Sequence, residues 1–495
     1  MRALFLCPNV PFPPHTGGQH RNLGLIRALA RFASVEVFAV GDPGHSRTSQ
    51  ARDYLATLGA TLGAYAPTGP GRSEDDSDDT ERLPDAAAHF RSPALADELS
   101  RRVAAVSFDV VHIEELVMAQ YADAFPGARV VDRQKVDWAY HGAMARVASS
   151  GRIDHLREAA RFLWWERRLA GVFDRILVPG EGDRRLLEPL HGPGSVSVVP
   201  IAIADDLRPP AEWARHVDYA LLYGALDYGP NVAAQRWFFE EVWPRLRAAA
   251  PSMRALVVGS GRPPLAAEPA PRDAAVDVLG FVPEMREILQ GPGALVVGVQ
   301  VGGGARTKVL EALACGMPVV STAVGVENLD LVPGRDFLLA ETATEMAGAL
   351  LRLHGDPGLA TALAREGPRR ADAFRWSRVE PTLEAVYRDV LAQVAARGPR
   401  HKALAERHSP PGEPPELARL VLAELEALRR RRALWPVRAL RRFGKRLRRS
   451  AALVRAEAEA YRLLDAILVP SARGGLGDRA RRGLLHVLRA FRRGR

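Results

Sequence analysis

Cysteine is nearly missing from this chain. Its 495 residues hold two, Cys7 and Cys315, far apart and with no metal-ligand spacing. That excludes a disulfide-stapled secreted scaffold and a zinc-finger module, and a reducing, cytoplasmic compartment is the expectation. Long apolar runs are missing too: no stretch reaches the roughly 18 uninterrupted apolar residues that a membrane-spanning helix needs. The apolar N-terminal run stops at Pro8, too short for a secretory leader, and reads as a first strand. Metal-holding acidic pairs are scarce. Asp76-Ser77-Asp78 has Asp-x-Asp spacing, but it lies in the acidic run at 73–80 with no strand before it to fix the carboxylates. It reads as a solvated loop, and neither a metal nor a cofactor is expected.

What is present is a globular composition, 47% hydrophobic and 25% charged. The charge is unevenly spread. Residues 398–495 carry 25 Lys and Arg against 9 Asp and Glu, so this tail is +16 in a chain of +10, and residues 1–397 are −6. The high isoelectric point belongs to the tail, which suits an anionic partner.

Short apolar runs of β type alternate with amphipathic helical stretches up to about residue 390. Strands are expected at 3–6, 35–40, 110–113, 129–131, 175–178 and 197–200. A second series follows at 219–224, 254–259, 275–279, 294–298, 318–321 and 337–339. Helices are expected at 20–31, 232–247, 308–315 and from 379. Such alternation predicts parallel sheets covered by helices on both faces, here two α/β units of similar design. Asp205-Asp206 and Pro209-Pro210 suit the joint between them. The expected organisation is an N-terminal unit 1–205, a second unit 206–375, a closing helix 376–396 and a basic helical extension 397–495.

The most informative segment is Val301-Gly302-Gly303-Gly304-Ala305-Arg306-Thr307-Lys308-Val309-Leu310-Glu311, followed by Gly316-Met317-Pro318-Val319-Val320. A buried strand enters a triple-glycine loop and a helix leaves it. Glycines let a backbone approach a phosphate, and the free N–H groups of a helix start favour an anion. Arg306 and Lys308 add positive charge there. Glu311, one turn on from Lys308, offers a carboxylate to ribose hydroxyls, as acidic residues do in Rossmann-like sites.

This segment resembles the donor site of family 4 glycosyltransferases, as seen in sugar transferases of bacterial exopolysaccharide and exosortase loci. Gly17-Gly18 before the first helix, Val198-Val199-Pro200-Ile201-Ala202, the Leu222 to Asn231 stretch and Leu279-Gly280-Phe281-Val282-Pro283-Glu284 fit the same pattern. The resemblance implies the GT-B fold, two facing Rossmann-like domains, and a retaining, metal-independent transfer from a nucleotide sugar. It gives Arg306, Lys308 and the Gly302, Gly303 and Gly304 amides to the diphosphate and Glu311 to the ribose. Gly224, Phe281 and Val282 join the donor site. Two departures stand out. Relatives often carry a glutamate where this chain has Gly303, which bears on the donor sugar. Many also have a cation in the loop that here reads Ala225-Leu226-Asp227-Tyr228.

In the N-terminal half, His112 and Asp132 end consecutive expected strands, where open α/β sheets bind ligands, and are catalytic candidates. His15 joins Gly17 and Gly18 as an acceptor or phosphate loop. Core and turn roles remain open for His112 and Asp132. The acceptor is expected to be a hydroxyl of a carbohydrate or lipid-linked molecule, in cell-surface polysaccharide or glycolipid synthesis. An inactive sugar-nucleotide binder and a GT-B epimerase are the alternatives. No specific nucleic-acid motif is present. In the tail, Leu440, Leu447, Val454, Tyr461 and Leu468 recur every seven residues, bordered by Arg441, Arg442, Lys445 and Arg446. That pattern suits an interfacial helix on anionic lipid, at the inner face of a membrane, and equally a packed helical pair.

Overall fold

In β1 (Arg2–Cys7), Ala3 to Cys7 have no exposed surface at all. Apolar side chains on both faces of a strand demand cover on both faces, the mark of a central strand in a parallel sheet. The computed structural model describes residues 1–14, 16–40, 47–68, 83–147, 151–211, 216–261, 273–303 and 306–397. His15, Gly304, the acidic run at 73–80 and the basic tail lie outside the described residues.

β1 has β2 (Ser34–Val40) on one side and β4 (Val110–Glu114) on the other, with Phe5 opposite both Val37 and His112. The sheet continues through β3 (Ala60–Ala66), β5 (Ala128–Asp132), β6 (Arg175–Val178) and β7 (Val196–Val198). Its order is β3-β2-β1-β4-β5-β6-β7, every pair parallel. The strands expected from the sequence are all present. β3 was not among them: it is an edge strand built on Ala60, Gly63 and Ala64, residues with little strand preference.

The second sheet has six parallel strands, β8 (Tyr219–Tyr223), β9 (Arg254–Val258), β10 (Val276–Gly280), β11 (Gly293–Val297), β12 (Val319–Ser321) and β13 (Leu338–Leu339), in the order β10-β9-β8-β11-β12-β13. The helix expected over 232–247 comes in three pieces: Gly229–Trp237, a wide turn at Phe238–Val242, and Trp243–Ala249. Pro244 has no N–H to give to the preceding turn, so regular α-hydrogen bonding cannot pass through it.

Strand order reverses between β1 and β4 in one sheet and between β8 and β11 in the other. Crevices at the carboxyl ends of strands beside such reversals are where open α/β sheets bind ligands. From the first crevice starts the helix Gly17–Ala30. A capping box starts it: Thr16 Oγ1 accepts from the Gln19 amide at 3.3 Å, and the Gln19 side chain accepts from the Thr16 amide at 3.2 Å.

The last described helix, Trp376–Arg397, returns to the first sheet. Its Trp376, Val379, Leu383, Tyr387 and Val390 are buried in the same core as Leu23 and Ile26. Trp376 lies so close over Gly24 that a Cβ there would stand 1.8 Å from the indole ring.

Candidate active site

The second unit supplies a cationic floor. β11 runs into the glycine loop, and the helix Thr307–Ala314 leaves it with Arg306 as N-cap. Arg306 Nη1 donates to the Gly303 carbonyl at 2.8 Å, which folds the guanidinium back over the loop. Burial pulls its pKa below the usual arginine value. Lys308 points inward. Its Nζ donates to the Tyr223 carbonyl at 3.0 Å and to Asn231 Oδ1 at 3.2 Å, both neutral acceptors. Burial, with the neighbouring Arg306 charge, brings its pKa down to about 7. Leu222, Gly224, Asn231, Gln235, Gly298 and Lys308 line a small cavity at this point.

Glu311 is half-buried on the next turn of the helix. Its Oε2 accepts from the Tyr223 hydroxyl at 2.8 Å. Burial raises its pKa and the Tyr223 bond opposes the rise. Gly224 continues β8 at φ +134°, outside the usual range for a side chain, and a Cβ there would lie 3.6 Å from Lys308 Nζ. After β10, Phe281 is exposed and Val282 half-buried.

The first unit forms the opposite wall. A Cβ on Gly17 would lie 3.4 Å from Thr307 Oγ1, so the N-terminal glycine pair sits directly against the start of the cationic helix. A Cβ on Gly18 would meet Gln134, and one on Gly303 would stand 2.7 Å from Lys135 Cβ. Gln134 and Lys135 thus lie between the two glycine loops. Lys135 Nζ is paired with Asp137 Oδ1 at 3.0 Å and with Glu115 Oε2 at 3.6 Å. Burial works against its charge, but Asp137 and Glu115 outweigh burial and raise its pKa. Tyr140 faces Tyr228 of the other unit, and burial, with Tyr228 beside it, raises the Tyr140 pKa against the opposing charges of Lys135 and Arg306. Beyond them Asn328, at φ +65°, donates to Asp183 Oδ2 at 2.8 Å and accepts from the Gly182 amide at 3.2 Å.

His112 and Asp132 lie behind this wall with no exposed surface. Asp132 accepts Arg21 Nε and Nη2, both at 2.7 Å, in a bidentate pair, and Arg21 also donates to the Val199 and Pro200 carbonyls at 3.0 Å each. His112 stacks on Phe5 with centroids 4.3 Å apart, and its Nε2 is 3.3 Å from Glu114 Oε2. Its Nδ1 meets the Tyr387 hydroxyl from the returning helix. Burial lowers its pKa to about 4, so the ring is neutral near pH 7. Burial, then the Asp132 charge, raises Glu114 well above the usual carboxyl range, and Gln134 ties it to the wall. Sequence reasoning did not single out Arg21, Gln134, Lys135 or Tyr223. All four stand in or beside motifs already noted, but nothing in the one-dimensional pattern says which of them meet.

Two parallel α/β sheets meeting at a shared cleft, with a last helix that crosses back, make up the GT-B glycosyltransferase architecture. Residues 218–356 match the family model described as Glycosyl transferases group 1, so the resemblance to family 4 drawn from the motifs holds. A D-inositol 3-phosphate glycosyltransferase of Acidothermus cellulolyticus is 38% identical over 86 residues, 17% of this chain and 19% of that protein. The chain thus spans about a fifth of the length of the curated relatives it matches. Sucrose-phosphate synthase from Thermosynechococcus elongatus superposes with a TM-score of 0.58 at 17% identity, over 79% of this chain and 100% of that one. Anabaena HepE, solved in complex with UDP, does so with a TM-score of 0.56 at 13% identity, again over 79% and 100%.

Proposed function

We propose that this chain moves a sugar from a nucleotide sugar to an acceptor hydroxyl, with retention of anomeric configuration and without a divalent metal. The observation that carries the proposal is the enclosed pair Arg306 and Lys308 at the start of a helix, facing the Gly17-Gly18 loop across the cleft. The Lys308 ammonium is held by two neutral oxygens, so its charge is there for an anion to balance. A departing nucleoside diphosphate is such an anion.

In this reading Arg306, Lys308 and the glycine-loop amides hold the diphosphate, and Glu311 holds the ribose. Phe281, Val282 and Gly224 flank the rest of the nucleotide. Gly17 and Gly18 face the acceptor or phosphate side, and His15, outside the described residues, is assigned to the same loop by its place in the sequence. His112 and Asp132, fully enclosed by core partners, support the wall and do not touch the sugar. Fixed donors aimed at developing charge need no metal, and loss of one costs roughly 100–1000-fold in rate. The incoming hydroxyl passes its proton to a phosphate oxygen on the same face. HepE in complex with UDP makes UDP-sugars the first donors to try. Transfer that persists in chelator, with a product of unchanged anomeric configuration by NMR, is expected. Activity lost in chelator and restored by manganese would overturn the metal-free part, and an inverted product the retaining part.

The basic tail is assigned to an anionic lipid surface, which would bring the enzyme to a lipid-linked acceptor at the inner face of a membrane. The support is its net charge of +16 and its seven-residue apolar spacing. Full-length chain is expected to sediment with anionic liposomes in a salt-sensitive way, and a chain ending at 396 is not. Equal sedimentation of both would refute it.

A further inference from the structure

One residue holds two of the side chains assigned to the donor, Lys308 and Glu311. Tyr223 ends β8 at the strand-order reversal of the second sheet. Its carbonyl receives Lys308 Nζ at 3.0 Å and its hydroxyl donates to Glu311 Oε2 at 2.8 Å. Lys308 and Glu311 stand one turn apart on the same helix, so Tyr223 fixes their spacing from the side. An ionised carboxylate has about four acceptor positions on two oxygens. The phenol takes one of them. Among the described residues no hydrogen bond falls on Glu311 Oε1, and the residue is half-buried.

We infer that Tyr223 is the positioning residue that sets the Glu311 carboxylate for a vicinal diol. The inference rests on Glu311 being the ribose ligand. Two neighbouring hydroxyls need a carboxylate that is charged and held still. The phenol supplies both conditions. It fixes the rotamer by a charge-assisted bond, and it stabilises the ionised form against burial, which by itself pushes the carboxyl toward its protonated form. A protonated Glu311 would give a hydrogen bond where the diol needs one accepted. Losing the phenol therefore weakens ribose recognition without touching the diphosphate contacts.

The test is calorimetric binding of UDP, GDP and ADP, each against its 2′-deoxy counterpart, to the full chain and to Tyr223→Phe and Glu311→Gln, from pH 5.5 to 8. Inorganic pyrophosphate binding and thermal melting report an intact site, and Tyr223→Phe keeps the ring. The wild type is expected to prefer its ribonucleotide by roughly 10–100-fold, the size of one hydrogen bond to a charged group. Glu311→Gln is expected to lose most of that preference. Tyr223→Phe is expected to lower it several-fold at pH 8 and to lose the rest at a higher pH than wild type as the solution is acidified, with pyrophosphate affinity unchanged. An unaltered preference in Tyr223→Phe at every pH, while Glu311→Gln loses it, overturns the inference alone. An unaltered preference in Glu311→Gln overturns the ribose assignment beneath it. No binding of any diphosphate by the wild type overturns the proposed function itself.

Discussion

Lys308 carries the clearest residue-scale consequence. Its pKa in the folded chain is brought down to about 7 from an ordinary value near 10.5. Between those two values the unfolded chain binds the extra proton, so stability of the free protein rises with pH across that window. Lys308→Met should flatten that rise in pH-dependent melting, and an unchanged slope would show that another group causes it. A bound diphosphate favours the charged ammonium. Donor affinity should therefore fall as pH climbs from 6 to 8, and binding near pH 8 should take up a proton. Calorimetry in buffers of different ionisation enthalpy reads this directly. Asp132 illustrates a different kind of residue. Asp132→Ala leaves Arg21 buried without its carboxylate, a loss of about 3–5 kcal/mol, so thermal melting should fall together with activity. That Arg306, Lys308 and Glu311 lie together was legible in the sequence because loop and helix start are contiguous. The environment of His112 and Asp132 was not, because its decisive partners, Arg21 and Tyr387, come from 111 and 275 positions away.

At the scale of elements, central strands such as β1 and β11 were legible because they are buried on both faces and read as continuous apolar runs. β3 escaped because an edge strand of Ala and Gly leaves no such run. The returning helix Trp376–Arg397 was legible as a helix but not as part of the first core, since an apolar stripe does not say which surface it will cover. Its docking depends on the absent side chain at Gly24. Gly24→Ala would place a methyl 1.8 Å from the Trp376 ring and force the helix outward. Overpacking of this kind costs about 1–3 kcal/mol, which denaturant unfolding would detect as a lower midpoint with unchanged slope. A midpoint equal to wild type would mean that the helix docks loosely.

For the molecule as a whole, the candidate site belongs to neither sheet alone. The glycine loops face each other, Gln134 and Lys135 fill the space between them, and Tyr140 meets Tyr228 across the seam. Binding an anion at Arg306 and Lys308 is the central claim on which the transferase reading stands. The most direct measurement is calorimetric titration of nucleoside diphosphates, UDP first, into the full chain in chelator, beside the double variant Arg306→Ala, Lys308→Ala. The account predicts saturable metal-free binding by the wild type and none by a double variant that still melts cooperatively. Equal affinity in the two proteins would contradict it.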